Sequence, residues 1–259
     1  MSNVAVTVRD LGKWYIVNEI RYRGTLADRL ARSLKAPFRR TAEQLPSERV
    51  PDAIWALRNV SFDVEVGKVM GVIGRNGSGK STLLRILARI TTPTEGTAML
   101  RGRVGALLEV GTGFHPDLSG RENIMLNGTM LGMTPSEVRK CQDKIIEFSE
   151  VGEFIDTPVK HYSTGMFMRL AFAVAAHLEA EIMLVDEVLA VGDEGFQEKC
   201  KTKIRETAFA GRTILFTSHD MDSVRKICHS CVLLDHGKVI RHGAVEDCIK
   251  GYKQLTGVS

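Results

Sequence analysis

The stretch Gly74-Arg75-Asn76-Gly77-Ser78-Gly79-Lys80-Ser81 matches the phosphate-binding pattern G-x-x-x-x-G-K-[S/T] at every specified position. The apolar run at 69–73 predicts a strand before it, and 82–87 repeats apolar residues at helical spacing after it. The pattern needs this order of strand, glycine turn and helix, because the glycines let amide groups close around an anion at the positive end of a helix. A chance glycine-rich turn is therefore disfavoured, and we predict a site for nucleotide phosphates.

Two side chains of this stretch have predicted roles in that site. We expect Lys80 to bind the β- and γ-phosphates and the hydroxyl of Ser81 to ligate Mg²⁺. The other predicted nucleotide contacts are Gly74, Asn76, Gly77, Ser78, Gly79 and Thr82. A nucleoside triphosphate and Mg²⁺ are thus the predicted cofactors.

Length and composition are those of an ordinary globular protein. The 259 residues can bury a sizeable core as one compact domain, or as a domain with a small appendage. The chain is 44% hydrophobic and 25% charged, and its net charge of +4 is too small to argue for a nucleic-acid partner. It has neither a signal-peptide pattern nor a run of about eighteen apolar residues, so we expect that it does not span a membrane alone.

The five cysteines indicate a reducing compartment, because they are odd in number and scattered along the chain. Cys228 and Cys231, with His229 between them, suggest a redox or zinc site at first sight. No second Cys/His pair at zinc spacing accompanies them, and the segment runs straight into an apolar strand-like run. Packing is therefore favoured over metal binding for this pair.

The first fifty residues contain a strand and a basic segment. The strand at 4–8 leads to Trp14 and Tyr15, where an aromatic ring could stack on a base or simply pack. The segment 20–40 carries seven Arg and Lys residues against Asp28 alone, with an apolar residue at every fourth position from Leu26 to Phe38. This pattern predicts a basic amphipathic helix, either packed on its own domain or facing a membrane surface or an acidic partner.

The second half of the chain supplies candidate partners for the phosphate site. An apolar run at 181–185 ends in Asp186 and Glu187, as a buried parallel strand would if its end faced a ligand. We expect Asp186 to hold Mg²⁺ and Glu187 to accept the proton of an attacking water. A further strand at 214–218 ends at His219, which can hydrogen-bond a phosphate oxygen.

Helices are predicted on both sides of the turn Tyr162–Met166. One helical stretch is expected from Gly120 through Thr134 to Phe148. Another begins after the turn, whose free amide groups would form a second anion-ready site.

In their order along the chain, these motifs resemble those of an ABC transporter ATPase subunit. The matching motifs are Walker A at 74–81, the signature at 162–166, Walker B at 182–187, the D-loop at 190–193 and the H-loop at His219. The resemblance covers nearly the whole chain and implies an α/β fold: a P-loop NTPase core of ABC ATPase type, with an antiparallel β subdomain and a helical subdomain that carries the signature motif. It implies one nucleotide-binding domain over 1–259, with a basic insertion and linker at 18–51 and the helical subdomain at about 115–178.

The same resemblance assigns roles to individual residues. It implies that ATP lies between the two copies of a head-to-tail homodimer, with Walker A of one copy facing Ser163 and Gly165 of the other. It also implies that Tyr15 stacks on the adenine, Glu187 is the catalytic base and His219 contacts the γ-phosphate.

Departures from the general pattern point to a subgroup. Tyr-Ser-Thr-Gly-Met at 162–166 replaces the usual Leu-Ser-Gly-Gly-Gln and is similar to the version in exporters of O-antigen, capsular polysaccharide and wall teichoic acid. The segments 108–116, 119–124 and 186–197 are similar to the same group. No glutamine stands at the usual Q-loop position, and Glu109 is the expected substitute, as a ligand of Mg²⁺ or of water.

The resemblance implies an ATP-binding and hydrolysing subunit that powers export of a lipid-linked polysaccharide through a separate transmembrane permease. Its expected place is the cytoplasmic face of the bacterial inner membrane, with no nucleic-acid partner. The end of the chain at Ser259, soon after the cassette, predicts a glycan whose export needs no end-group recognition. The basic insertion is expected near the anionic leaflet, the glycan diphosphate or the permease. The alternatives are the ATPase of another exporter or importer, or a non-transport ABC ATPase; a kinase is disfavoured because the signature turn would have no role.

Overall fold

The computed structural model describes residues 3–16, 53–108, 111–186 and 193–257. The predicted insertion at 18–51, and the predicted site residues Glu109 and Glu187, lie outside these ranges. Within them, no helix has the length and apolar character needed to cross a membrane.

The described elements follow one another as strands, a helical region, and then strands alternating with helices. In chain order they are β1 (Val4–Ile16), β2 (Ala53–Glu65), β3 (Val69–Ile73), α1 (Lys80–Leu87), β4 (Glu95–Leu100), β5 (Val104–Leu107), α2 (Gly120–Met130), α3 (Pro135–Ser149), two 3₁₀ turns (Gly152–Phe154 and Val159–His161), α4 (Thr164–Ala176), β6 (Ile182–Val185), α5 (Glu194–Phe209), β7 (Thr213–Thr217), α6 (Met221–Ile227), β8 (Ser230–Asp235), β9 (Lys238–Gly243) and α7 (Val245–Thr256).

The strands form two sheets. Strands β2, β1 and β4 make an antiparallel sheet. The second sheet has the order β5-β6-β7-β3-β8-β9, in which neighbours from β5 to β8 are parallel and β9 is antiparallel to β8. Since β6, β7 and β3 are neighbours, their carboxyl ends meet at one edge of the sheet, where ligands of open α/β sheets bind.

Strand β3 separates two packed layers because its side chains alternate. Val69 and Ile73 face the helices of the second half of the chain. Met70 and Val72 face the antiparallel sheet and α1. All four side chains are buried, so this central strand, which leads directly into the phosphate loop, is held from both sides.

The helical stretch predicted from Gly120 to Phe148 is two helices, and the prediction of one continuous element was wrong. Helix α2 ends at Met130, and the chain turns at Gly132 with φ of +91° before Thr134 caps α3. The Thr134 hydroxyl accepts a hydrogen bond from the amide of Glu137, which makes a capping box. The two helices then lie side by side, with Gly128 against Val138, where a Cβ on the glycine would lie 2.8 Å from a valine methyl.

The cysteine pair Cys228 and Cys231 packs against β3. A Cβ on Gly71 would lie 3.1 Å from Sγ of Cys228 and 3.4 Å from Sγ of Cys231, so the glycine makes room for both thiols. Burial raises the pKa of Cys228 to about 12, which keeps its thiol protonated at neutral pH. Both residues are free thiols that help to close the core under the central strand.

Candidate functional site

The phosphate loop is fixed in a left-handed path that glycine alone adopts easily. Gly74, Gly77 and Gly79 have φ of +154°, +80° and +106°. At Gly79 a Cβ would lie 2.5 Å from the carbonyl oxygen of Ala56, so β2 packs directly against the loop. At Gly77 no atom lies within 4 Å of such a Cβ, so the loop is open on that side.

The turn between β8 and β9 holds the loop from a second direction. The amide of Gly237 donates to the carbonyl oxygen of Ser78 at 3.0 Å, and its own carbonyl accepts from the amide of Arg58 at 2.8 Å. Gly237 has φ of +76° and lies close to Ala56. Gly237 is not among the residues predicted from the sequence, although the turn-like run Asp235 to Lys238 between two apolar strands is a signal for it.

Lys80 lies inside the loop. Its Nζ donates hydrogen bonds to the carbonyl oxygens of Gly74 at 2.7 Å and Arg75 at 3.1 Å, and the residue is 7% exposed. The ammonium group is therefore held at the point where the loop curves around, as expected of a lysine that binds phosphate.

The start of α1 suits an anion better than the starts of its neighbours. Its N-cap is Gly79, which offers no side chain to the free amides, whereas α2 and α3 begin with the capping residues Ser119 and Thr134. The hydroxyl of Ser78 is buried and makes no hydrogen bond within the described residues. An uncapped helix start and a buried hydroxyl in need of a partner fit the phosphates of a nucleotide.

Asp186 follows β6 at the adjoining part of the sheet edge. The hydroxyl of Thr217, the last residue of β7, donates to its carboxylate at 2.5 Å. With the Ser81 hydroxyl on the first turn of α1, this carboxylate provides the oxygen ligands that Mg²⁺ prefers. His219, two residues beyond the end of β7, is predicted from the sequence, whereas Thr217, the last residue of that strand, is not.

His219 is exposed and shares a cleft with the phosphate loop. The cleft has a volume of about 450 Å³ and is lined by Gly74, Arg75, Asn76, His219, Tyr252 and Thr256. The structure therefore brings His219 beside the loop, and it adds residues of α7 that the sequence analysis did not predict there.

Tyr15 lies near the end of β1, opposite Ile54 of β2. Ala56, two residues further along β2 than Ile54, contacts the start of the phosphate helix at Gly79. Two residues of a strand span about 7 Å, and neighbouring strands are about 5 Å apart. Tyr15 is therefore separated from that contact by about 7 Å along β2 and about 5 Å across the sheet. Nζ of Lys13 lies over the ring, 5.1 Å from its centroid. This position leaves the tyrosine near the loop, at a distance that a nucleoside can bridge.

The signature turn has fewer free amides than predicted. Ser163 is the N-cap of α4, and its hydroxyl accepts a hydrogen bond from the amide of Met166 at 3.2 Å. The amide of Met166 is therefore already bound by the serine that caps the helix, and the second anion-ready site at this turn stays a prediction. Ser163 and Gly165 are exposed, and neither contributes to the lining of the two clefts beside the phosphate loop.

Sequence comparisons place this arrangement among known proteins. The family described as ABC transporter matches residues 57–190, about half of the chain. The O-antigen export system ATP-binding protein RfbB of Klebsiella pneumoniae is 49% identical over 199 residues, which cover 77% of this chain and 81% of that protein. A protein of the same name from Myxococcus xanthus is 48% identical over 206 residues, but these cover 80% of this chain and only 47% of that longer protein.

Solved structures give the fold. The dimeric post-hydrolysis structure of the ATP-binding cassette MJ0796 bound to ADP and Pi has a TM-score of 0.67, at 22% sequence identity. The match covers 93% of this chain and 98% of the cassette. The predicted α/β fold of ABC ATPase type is confirmed, and with the family match over the phosphate loop and Asp186 this chain belongs to the ABC transporter family.

Proposed function

We propose that this chain is the ATP-binding and hydrolysing subunit of an exporter of lipid-linked polysaccharide. The observation that carries the proposal is the sheet edge at which the phosphate loop with Lys80, the Asp186–Thr217 pair and His219 meet. The family binds ATP, and the polysaccharide is proposed from the names of relatives that are 48% and 49% identical to this chain over the aligned 206 and 199 residues.

Each predicted site residue within the described ranges has its own role in nucleotide binding or hydrolysis. Lys80 and the amides at the start of α1 bind the β- and γ-phosphates, and Gly74, Asn76, Gly77, Ser78, Gly79 and Thr82 complete the contacts. Ser81 and Asp186 hold Mg²⁺, which neutralises phosphate charge during hydrolysis. His219 contacts the γ-phosphate, and Tyr15 stacks on the adenine.

Two roles fall to residues outside the described ranges. Glu187, directly after Asp186, accepts the proton of the attacking water. Glu109 takes the place of the missing Q-loop glutamine. Both assignments rest on their positions in the sequence motifs.

The site is completed by a second copy of the chain. Ser163 and Gly165 are exposed at the start of α4, and in a head-to-tail homodimer they close over the ATP held by the other copy. Closing and opening of this dimer drive a separate transmembrane permease at the cytoplasmic face of the inner membrane. The basic insertion at 18–51 is expected to meet the anionic leaflet, the glycan diphosphate or the permease, and no nucleic-acid partner is expected.

The experiment compares Lys80→Met and Asp186→Asn with a matched control. Asp63→Asn removes a carboxylate of the antiparallel sheet that is paired with Arg9 at 2.7 Å and is remote from the loop. We measure two activities of each variant. One is phosphate release by the purified chain, and the other is surface polysaccharide when the variant is expressed in a strain lacking the gene. We expect both site variants to lose both activities, whereas Asp63→Asn retains them. Full phosphate release by Asp186→Asn contradicts the ATPase assignment, and normal surface polysaccharide in the deletion strain contradicts the substrate class.

A further inference from the structure

The helix α7 forms one wall of the cleft beside the phosphate loop. Its residues Tyr252 and Thr256 are about one helical turn apart, so they lie on the same face of the helix. Both line the cleft of about 450 Å³ in which His219 and the start of the phosphate loop also lie. A helix that carries none of the predicted site residues thus borders the nucleotide site.

Close packing against β8 and β9 fixes the position of α7. Gly251 lies at this contact, where a Cβ would be 2.9 Å from Cδ of Arg241 and 2.9 Å from a methyl group of Leu233. Nearer the start of the helix, the thiol of Cys248 donates to the carbonyl oxygen of Cys231 on β8 at 3.2 Å. Because the glycine has no side chain, the helix approaches the strands closely and buries its inner face against them.

An ion pair connects α7 to the helix that follows His219. Nε of Arg225 on α6 donates to Oε1 of Glu246, on the first turn of α7, at 2.8 Å. Asp220, directly after His219, is the N-cap of α6 and accepts from the amide and the hydroxyl of Ser223. The backbone beside His219 is therefore tied through α6 to α7.

The ring of Tyr252 is held by the core. The residue is partly buried and packs against the main hydrophobic cluster, and it has the largest of the side chains that line the cleft. Within the part of the chain that the structure describes, its hydroxyl makes no hydrogen bond. The ring is therefore the part of this side chain that has defined contacts, and it shapes the α7 side of the cleft.

His219 is exposed, so burial alone does not fix the orientation of its imidazole. We propose that Tyr252 is a positioning residue, whose ring keeps the imidazole of His219 turned towards the γ-phosphate. The proposal rests on the proposed function, in which His219 contacts that phosphate. As a wall of the shared cleft, the ring limits the space into which the imidazole can turn. A displacement of about 1 Å can lower a rate about a hundredfold.

Three substitutions separate the ring from the hydroxyl and from packing on the core. Tyr252→Phe keeps the ring and removes the hydroxyl. Tyr252→Leu removes the ring but keeps an apolar side chain against the core, and Tyr252→Ala removes both. Leu255→Ala is the matched control, because Leu255 lies on the same helix, is 37% exposed and lies outside the lining of the cleft.

The test measures kcat for ATP, ADP affinity by calorimetry and thermal stability for these variants of the full chain. We expect Tyr252→Ala and Tyr252→Leu to lower kcat about tenfold or more. Their ADP affinity should be unchanged, because ADP lacks the phosphate that His219 contacts. Tyr252→Phe and Leu255→Ala should retain the kcat of wild type. A merely structural role of Tyr252 would lower ADP affinity and thermal stability together with kcat.

Two results would overturn the proposal. One is a kcat of Tyr252→Leu equal to that of Leu255→Ala, and the other is a kcat of Tyr252→Phe as low as that of Tyr252→Ala. A wild-type chain without ATPase activity, or a His219→Ala variant with the kcat of wild type, would instead contradict the proposed function. The two failures are therefore distinguishable.

Discussion

The hydroxyl of Thr217 donates a hydrogen bond of 2.5 Å to the carboxylate of Asp186, and this contact joins the ends of the neighbouring strands β7 and β6. Thr217 is fully buried, so no solvent competes for its hydroxyl. The orientation of the carboxylate therefore depends on the adjacent strand as well as on its own, so Thr217 positions a side chain that we propose as a metal ligand.

Thr217→Val should remove this control with almost no change in volume. A hydrogen bond to a charged group contributes on the order of 1.5–3 kcal/mol, so we expect ATPase activity to fall about tenfold or more. The Mg²⁺ concentration for half-maximal activity should rise, because the carboxylate is no longer held in position. A titration of ATPase activity with Mg²⁺ measures both effects.

A matched control lies at the other end of the same strand. The hydroxyl of Thr213 accepts a hydrogen bond from the amide of Gly67 at 3.0 Å, far from the site edge. Thr213→Val should lower the unfolding temperature without changing the Mg²⁺ dependence. If Thr217→Val had the Mg²⁺ dependence of wild type, the assignment of Asp186 as a metal ligand through this contact would be wrong.

Alanine substitutions at Gly79 and Gly77 should separate folding from binding. Both residues have positive φ, which costs an alanine roughly 1–2 kcal/mol. At Gly79 the new methyl would also lie 2.5 Å from the carbonyl oxygen of Ala56, so Gly79→Ala should displace β2 and lower the unfolding temperature markedly. At Gly77 there is open space, so Gly77→Ala should lower it only slightly.

The variants Gly79→Ala and Gly77→Ala should also differ in how they bind the nucleotide. The open side of the loop at Gly77 is where we place the phosphates, so Gly77→Ala should weaken ATP binding although the protein is folded. Isothermal calorimetry and thermal unfolding of both variants measure the two effects. Wild-type ATP affinity of Gly77→Ala would place the phosphates elsewhere.

The sequence predicted the phosphate loop, the strand before it and the strand that ends at Asp186, because each is defined by local patterns of apolar and glycine residues. It did not predict Gly237 or Thr217, because their partners Ser78 and Asp186 are 159 and 31 residues away along the chain. Contacts of this kind depend on strand order, and no periodicity within a segment reveals strand order.

The division of the helical stretch at Gly132 is a different case. The predicted stretch contains the capping pattern Thr134-Pro135-Ser136-Glu137 in its middle. A glycine with positive φ before this pattern and the capping box itself end one helix and begin the next.

Glu137 should make the stability of the helical region depend on acidic pH. Hydrogen bonds from Arg103 at 3.0 Å and from the amide of Thr134 at 2.6 Å lower the pKa of its carboxyl group from 4.5 to about 2. Because the folded pKa is below the unfolded value, the stabilisation is complete above pH 4.5 and is lost as the pH falls towards 2. Urea unfolding of wild type and Glu137→Gln should differ at pH 7, and the difference should shrink below pH 4.5.

Glu122→Gln is the control for this pH effect. Glu122 has the same position in the capping box of α2. Hydrogen bonds from the amide and the hydroxyl of Ser119 lower the pKa of its carboxyl group, and no arginine within the described residues contributes to this shift. Its substitution should therefore produce a smaller difference at pH 7. Equal differences for the two variants would show that Arg103 contributes nothing to the shift at Glu137.

Tyr15 should bind the base of the nucleotide but not its phosphates. Stacking of a base on an aromatic ring contributes about 1–3 kcal/mol, so Tyr15→Ala should weaken ATP binding about tenfold, whereas Tyr15→Phe should retain most of the affinity. Nζ of Lys13 lies 5.1 Å from the ring centroid, so we expect the base to stack on the opposite face.

Inorganic triphosphate distinguishes this role from a general effect on the fold, because it has phosphates and no base. Its affinity, measured by competition with a fluorescent nucleotide, should be the same for wild type and Tyr15→Ala. An equal loss of affinity for ATP and triphosphate would mean that the substitution disturbs the phosphate loop through β2, and the stacking role would be wrong. Because Lys13 contacts the ring without contacting the loop, Lys13→Met should change the affinity for ATP slightly and that for triphosphate not at all.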